Sequence, residues 1–220
     1  MNNKNLDHYV ELANIIDYPR NNFLDKVLET QESLIEYDAE TLLILDEFIQ
    51  FLNITSPEKV EELYLRTFDV QAVTTLDIGY VLFGDDYKRG ELLVNLSKEH
   101  HKVRNDCGNE LADNLPNLLR LIPKISDNEL KKELVQIIII PALDKIIKEF
   151  DIKNIEMKNN VYKRKYKTLI EQPEHYGRMF LNPLLVIKNI LNVDFGSSPS
   201  NTENIDKSFT ESIMTEIKID

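Results

Sequence analysis

The sequence predicts an all-α protein, a single bundle of roughly eight to ten helices. Three observations carry that reading. Apolar side chains recur at intervals of three and four along most of the chain, the spacing that gathers them on one face of a helix. Glycine is scarce, at 6 of 220 residues, so the tight turns of a many-stranded sheet are missing. Hydrophobic residues make up 42% and charged residues 29%, a globular balance in a chain long enough to bury a core without metal or disulfide staples.

Residues 6–16 place Leu6, Tyr9, Val10, Ala13 and Ile16 on one helical face. Tyr18-Pro19 stops this helix, because proline lacks an amide hydrogen and disfavours helical geometry in the residue before it. Asn21 or Asn22 caps the next helix, with Phe23, Val27, Leu28, Leu34 and Ile35 along its stripe. Residues 39–52 are apolar on most sides, which predicts a central core helix. Ser56-Pro57-Glu58 opens a fourth helix, with serine as cap, proline in the first turn and an acid against the helix dipole. A short segment over 76–83 and a loop at Gly84 precede a helix over 87–106 that Gly108 ends. Asp113 or Asn114 caps a helix over 115–122, bounded by Pro123. Ser126 with Glu129 forms a capping box for a long helix that Pro141 kinks or divides. Four consecutive isoleucines, 137–140, suit a strand, but Leu134, Ile137 and Ile138 continue into Leu143, Ile146, Ile147 and Phe150 at helical spacing. Residues 153–167 are basic and polar, a linker or a frayed surface helix, and 179–195 is apolar again around Pro183.

These elements are expected to form one domain over 1–195. Residues 196–204 are rich in Gly, Ser, Pro and Asn, which predicts a flexible tail over 196–220. The lone Cys107 excludes an intramolecular disulfide and a cysteine-rich metal site. No apolar leader opens the chain and no run of roughly 18 apolar residues occurs, so a cytoplasmic protein without a membrane span is expected. A net charge of −12 repels nucleic-acid phosphates and favours basic ligands, although it also serves solubility alone.

Four stretches carry more than periodicity. They are Leu12-Ala13-Asn14-Ile15-Ile16-Asp17-Tyr18-Pro19, then Leu63-Tyr64-Leu65-Arg66-Thr67-Phe68-Asp69, then Phe83-Gly84-Asp85-Asp86-Tyr87-Lys88-Arg89-Gly90-Glu91-Leu92-Leu93, and finally Glu110-Leu111-Ala112-Asp113-Asn114-Leu115-Pro116-Asn117-Leu118-Leu119. In order and spacing they resemble the nitrate-reductase delta-subunit family, the molybdenum-cofactor assembly chaperones, and more widely the chaperones of twin-arginine-exported molybdenum reductases. Ala112 stands where that family usually has proline and Asn114 where it usually has histidine. The resemblance implies a helical chaperone, monomeric or dimeric, that binds the immature catalytic subunit of a molybdenum reductase through a basic, signal-like peptide. It implies no catalysis and no cofactor of the chaperone's own.

Glu110 and Asp113, three apart at the mouth of a helix, form an acidic corner, and Asp113 suits an N-cap. By the resemblance, this corner with Asn114 borders the peptide seat. Exposed ion pairs contribute roughly 0.2 to 1 kcal/mol each, whereas micromolar binding needs about 8 kcal/mol. Charge therefore selects a basic peptide, and apolar contact must hold it. Tyr64, Phe68 and Leu115 are expected beside or beneath the seat. Asp69 and Arg89 are expected to pair and to pin the Gly84 loop on the Phe68 helix.

Other chemistries lack their residues. His100 and His101 diverge by about 100° on a helix, cannot share a metal, and read as ordinary surface residues beside Arg104 and Asn105. Cys107 has no partner pattern, and no phosphate-loop, nucleophile-elbow or zincin motif occurs. The basic run Lys163-Arg164-Lys165 with Lys167 reads as a solvated face. The competing expectations are a helical interaction module for an unrelated peptide or helix, and, with no catalytic constellation to support it, a small helical enzyme.

Overall fold

Helix α1 (His8–Asn14) packs on α2 (Phe23–Ser33) and, from far along the chain, on α7 (Leu115–Leu121). The computed structural model describes residues 5–166 and 178–196, and every regular element among them is helical. The order continues with α3 (Ala39–Ile54), α4 (Pro57–Phe68), α5 (Ile78–Phe83), α6 (Tyr87–Lys102), α8 (Asn128–Glu133), α9 (Ile140–Lys148), α10 (Ile152–Tyr166) and α11 (Leu181–Phe195). The expected helical bundle is therefore the observed one. Helix α11 is the hub, packing on both α3 and α9, with Leu184, Val186, Ile187, Ile190 and Leu191 fully buried.

Local chemistry explains the starts and stops. Asp38 caps α3 by accepting from Thr41 N at 2.9 Å, and Ser56 caps α4 with Pro57 in its first turn. Three expected caps fall differently. Asn22 precedes α2 in left-handed geometry (φ 64°) and makes no side-chain cap bond. The cap of α8 is Asp127, not Ser126, its carboxylate accepting from Glu129 N and Leu130 N. Helix α6 ends at Lys102, short of Gly108, because Arg104 already takes a left-handed turn (φ 53°). Helix α3 is less enclosed than expected, since Leu43 and Ile54 face solvent.

Pro141 does not break the long helix. The chain widens to a π-helix over Leu134–Ile139, where Ile140 N reaches back to Val135 O, and α9 follows without a gap. The wider turn makes room for the ring that an α-helical ladder excludes. The basic segment is helix α10 as far as Tyr166, while Lys167 and the tail beyond Gly196 lie outside the described residues.

The two ends of the described chain are tied together. The buried Asp194 carboxylate near the end of α11 accepts from His8 Nε2 (2.9 Å) and Tyr9 Oη (2.9 Å) on α1, and from Tyr37 Oη (3.0 Å). A carboxylate only accepts, so His8 carries its proton on Nε2. Burial, and then Asp194, push the Tyr9 hydroxyl far above its ordinary value. No helix among the described residues is long and apolar enough to cross a membrane.

Candidate functional site

A cleft of about 500 Å³ opens where the α1–α2 connection, α4, the 75–77 segment and the 110–114 turn meet. Tyr18, Tyr64, Phe68, Leu65 and Leu76 supply its apolar surface, and Asp17, Asp69, Asp77 and Glu110 its charge, with Arg20 at the rim. The aromatic surface is anchored in the core. Tyr64 stands edge-on to Tyr18 (5.4 Å) and Phe68 (5.0 Å), and both Tyr64 and Phe68 pack on the fully buried Phe180, which meets Phe48. Such edge-to-face contacts fix ring orientation, so the cleft surface is preformed.

The carboxylates converge on one hydroxyl. The Tyr64 hydroxyl is pushed well above its ordinary value by burial first, and then by Asp17, Glu110, Asp69 and Asp77. Asp17 is balanced by Arg120 (2.6 Å) and Asp77 by Arg89 (3.1 Å). Asp69 and Glu110 are exposed and have no ion-pair partner among the described residues. The cleft therefore presents two uncompensated negative charges beside aromatic surface, the combination that accepts a guanidinium.

The expected site residues separate into three groups. Tyr64, Phe68, Glu110 and Asn114 all line the cleft. Leu115 does not; it is fully buried in the core behind it. Asp113 does not line the cleft either, and it does not cap α7. Asn114 holds that N-cap position, without a side-chain cap bond. The Asp113 side chain turns instead to α5, accepting from Gly79 N at 3.0 Å. It caps a helix 34 residues earlier in the chain, one whose own N-cap, Asp77, makes no side-chain cap bond.

This trans-cap sits in a compact lock. Ile78 N donates to Asp113 O (3.0 Å), Leu115 N donates to Leu76 O (2.9 Å), and Asn114 Nδ2 donates to Asp77 Oδ1 (3.3 Å). Gly79 is required by the close approach. A Cβ there would lie 2.7 Å from Asp113 Oδ2, inside any normal contact. Arg89 closes the lock from α6, its Nη2 on Asp77 at 3.1 Å and its Nε 3.5 Å from Asp113, with the guanidinium 5.2 Å from the Tyr80 ring. The expected Asp69–Arg89 pair is thus corrected: Arg89 is structural, but its partners are Asp77 and Asp113, leaving Asp69 open to the cleft. Burial, then Asp77, push the Asp113 carboxyl up, against the opposing pull of Arg89 and the Gly79 amide.

His100 is the residue that sequence reasoning misplaced. It is buried, not a surface residue, and its Nε2 donates to Ala112 O (3.0 Å) while Nδ1 accepts from Asn105 Nδ2 (2.9 Å). Asn105 also donates to Asn117 O, and Asn117 Nδ2 donates to Leu111 O (3.0 Å) and Cys107 O (3.3 Å). The turn that carries Glu110 is thereby stapled from within. Desolvation, its main cause, holds the His100 pKa below its ordinary value. Among the described residues no cluster of His, Cys, Asp and Glu has the arrangement of a metal site.

No protein-family model matches the chain, and no curated protein matches it.

Proposed function

We propose that this protein is a cytoplasmic chaperone for the immature catalytic subunit of a molybdenum-containing reductase, a respiratory nitrate reductase or a close relative. It binds an arginine-bearing segment of that subunit in the Tyr64–Glu110 cleft. The observation that supports this most is convergence. Of the four separate stretches that resemble the molybdenum-cofactor assembly chaperones, three line this cleft, and the other braces it from behind through the Arg89–Asp77 pair. Asp17 and Tyr18 come from the first, Tyr64, Phe68 and Asp69 from the second, the bracing Arg89 from the third, and Glu110 and Asn114 from the fourth. Convergence of separate segments on one preformed concavity is the mark of a binding site more than of a core.

The division of labour follows from magnitudes. Two exposed carboxylates contribute at most about 1 kcal/mol each to an arginine, so they select charge and register. The rings of Tyr18, Tyr64 and Phe68 supply contact area and a cation–π surface. The chaperone acts by preferential affinity for the unfinished, cofactor-accepting conformer of its client, which raises that conformer's population until the cofactor enters. No covalent step falls to its own residues.

The test is a double charge reversal, Asp69→Lys with Glu110→Lys, titrated against a fluorescent arginine-bearing peptide from the client's N-terminus. Both side chains are exposed and free of ion pairs among the described residues, so melting should be unchanged while affinity falls about tenfold or more. Equal affinity in the reversed protein would remove the cleft from the account. Asp113 is unsuited to this test, because a lysine in its buried place would break the lock.

A further inference from the structure

A second concavity, of about 840 Å³, lies on the other side of the α4 C-terminus, and it has the opposite character. Lys145 and Lys148 on α9 and Lys158 on α10 line it, together with the acids Glu149 and Asp69 and with Tyr80, three cations to two anions. Lys158 is already engaged, paired with Glu149 at 2.8 Å and donating to the Val73 carbonyl. Lys145 has only a 3.5 Å contact with the Leu82 carbonyl, and neither Lys145 nor Lys148 has a carboxylate in ion-pair range among the described residues. In a chain of net charge −12, two unpaired lysines facing one trough are a local reversal of the field.

The trough and the acidic cleft are not separate places. Phe68, Asp69 and Thr75 line both, so the two form one groove that crosses the end of α4, acidic and aromatic on one side and basic on the other. A ligand that matches it is an extended chain carrying charges of both signs.

We propose that the bound client segment is bipolar: its basic residue sits in the cleft, and it continues over Phe68 to place an acidic side chain between Lys145 and Lys148. This rests on the peptide-binding reading above and adds the chemistry of the segment. An extended chain rises about 3.3–3.6 Å per residue, so three residues carry it about 10 Å, enough to cross Phe68 from one concavity into the next. The acid is therefore set three positions from the arginine. Asp69 stands at the junction of the two concavities, where its charge disfavours a second acid over Phe68.

The experiment uses the full chain and two synthetic peptides, one with arginine and glutamate at that separation and one with glutamine in place of the glutamate, read by fluorescence anisotropy. The variant is Lys145→Gln with Lys148→Gln; both lysines are exposed, and a melting curve checks that the fold is kept. The parent protein should prefer the arginine–glutamate peptide about tenfold. The double variant should lose that preference while binding the arginine–glutamine peptide within about twofold of the parent. The proposal is overturned if the preference survives in the variant, or if both peptides weaken equally. It is also overturned if inorganic pyrophosphate binds the lysines without competing with the peptide, since the trough would then be an independent anion site. If neither peptide responds to Asp69→Lys with Glu110→Lys, the peptide-binding reading fails as well, which separates the two failures.

Discussion

Gly79→Ala is the sharpest structural test of the lock behind the cleft. The new methyl carbon would stand 2.7 Å from Asp113 Oδ2, 3.2 Å from Leu92 Cδ2 and 3.3 Å from Arg89 Cγ. Asp113 is buried and its backbone carbonyl is fixed by Ile78 N, so the turn cannot retreat and the carboxylate must leave the Gly79 amide. Losing a hydrogen bond to a charged acceptor costs about 1.5–3 kcal/mol. Crowding against Leu92 adds to this, and alanine's better helix propensity returns up to about 1 kcal/mol. A net loss of about 2 kcal/mol, or a Tm lower by about 4–8 °C for a protein of this size, is expected from thermal and urea denaturation. The Asp113→Ala background isolates the cause. With the carboxylate gone, only the milder contacts with Leu92 and Arg89 remain, and Gly79→Ala there should cost clearly less than in the parent. A Gly79→Ala protein as stable as the parent, or the same loss in both backgrounds, would refute the trans-cap. The pH dependence gives a third arm. The Asp113 carboxyl is raised in the fold, so its contribution is present at low pH and is lost as pH rises through that raised value. Asp113→Asn should remove this falling segment of the stability curve.

Three further outcomes follow from the geometry. His100 is held below its ordinary pKa, so its contribution is present above that ordinary value and is lost as pH falls toward the depressed one. Urea midpoints between about pH 7 and pH 5 should fall in the parent and stay flatter in His100→Gln; parallel curves would contradict the buried neutral imidazole. Asp194→Asn replaces the carboxylate that accepts from His8, Tyr9 and Tyr37 by a group that is half donor, and should cost about 2–4 kcal/mol. Hydrogen exchange should then quicken first in α1 and at the end of α11, and unchanged exchange there would count against the tie between the two ends. Asp69→Lys with Glu110→Lys should leave Tm within about 1 °C, since neither carboxylate is buried or paired among the described residues; a clear fall in Tm would show that one of them holds the fold.

The helices were readable because their signals are local. Ser56-Pro57 acts through neighbouring backbone, and the apolar spacing of 115–121 reports a buried face directly, whereas α1 already ends at Asn14, before the expected Tyr18-Pro19 stop. Caps were ambiguous where two acceptors stand side by side, as with Ser126 and Asp127, because the choice depends on a turn geometry that composition does not encode. Tyr64, Phe68, Glu110 and Asn114 were expected together and do line one cleft, although local spacing alone does not connect the stretches that carry them. Asp113, Arg89 and His100 were misassigned for a common reason. Their partners are Gly79, 34 residues away, Asp77, 12 away, and Ala112, 12 away, and long-range pairing leaves no periodic trace. Gly79 in the middle of an apolar segment was the available clue, since a glycine inside a helix costs stability unless something must approach closely. The lysine trough was also missed, because Lys145 and Lys148 at the end of a helix suit the helix dipole equally well.

The measurement that bears most directly on the proposed chaperone role is the molybdenum content of a candidate reductase catalytic subunit, purified from cells with the parent protein, with the Asp69→Lys, Glu110→Lys protein, or with neither. The account predicts full loading and co-purification with the parent alone, and metal-poor subunit in the other two. Equal molybdenum content in all three would contradict it.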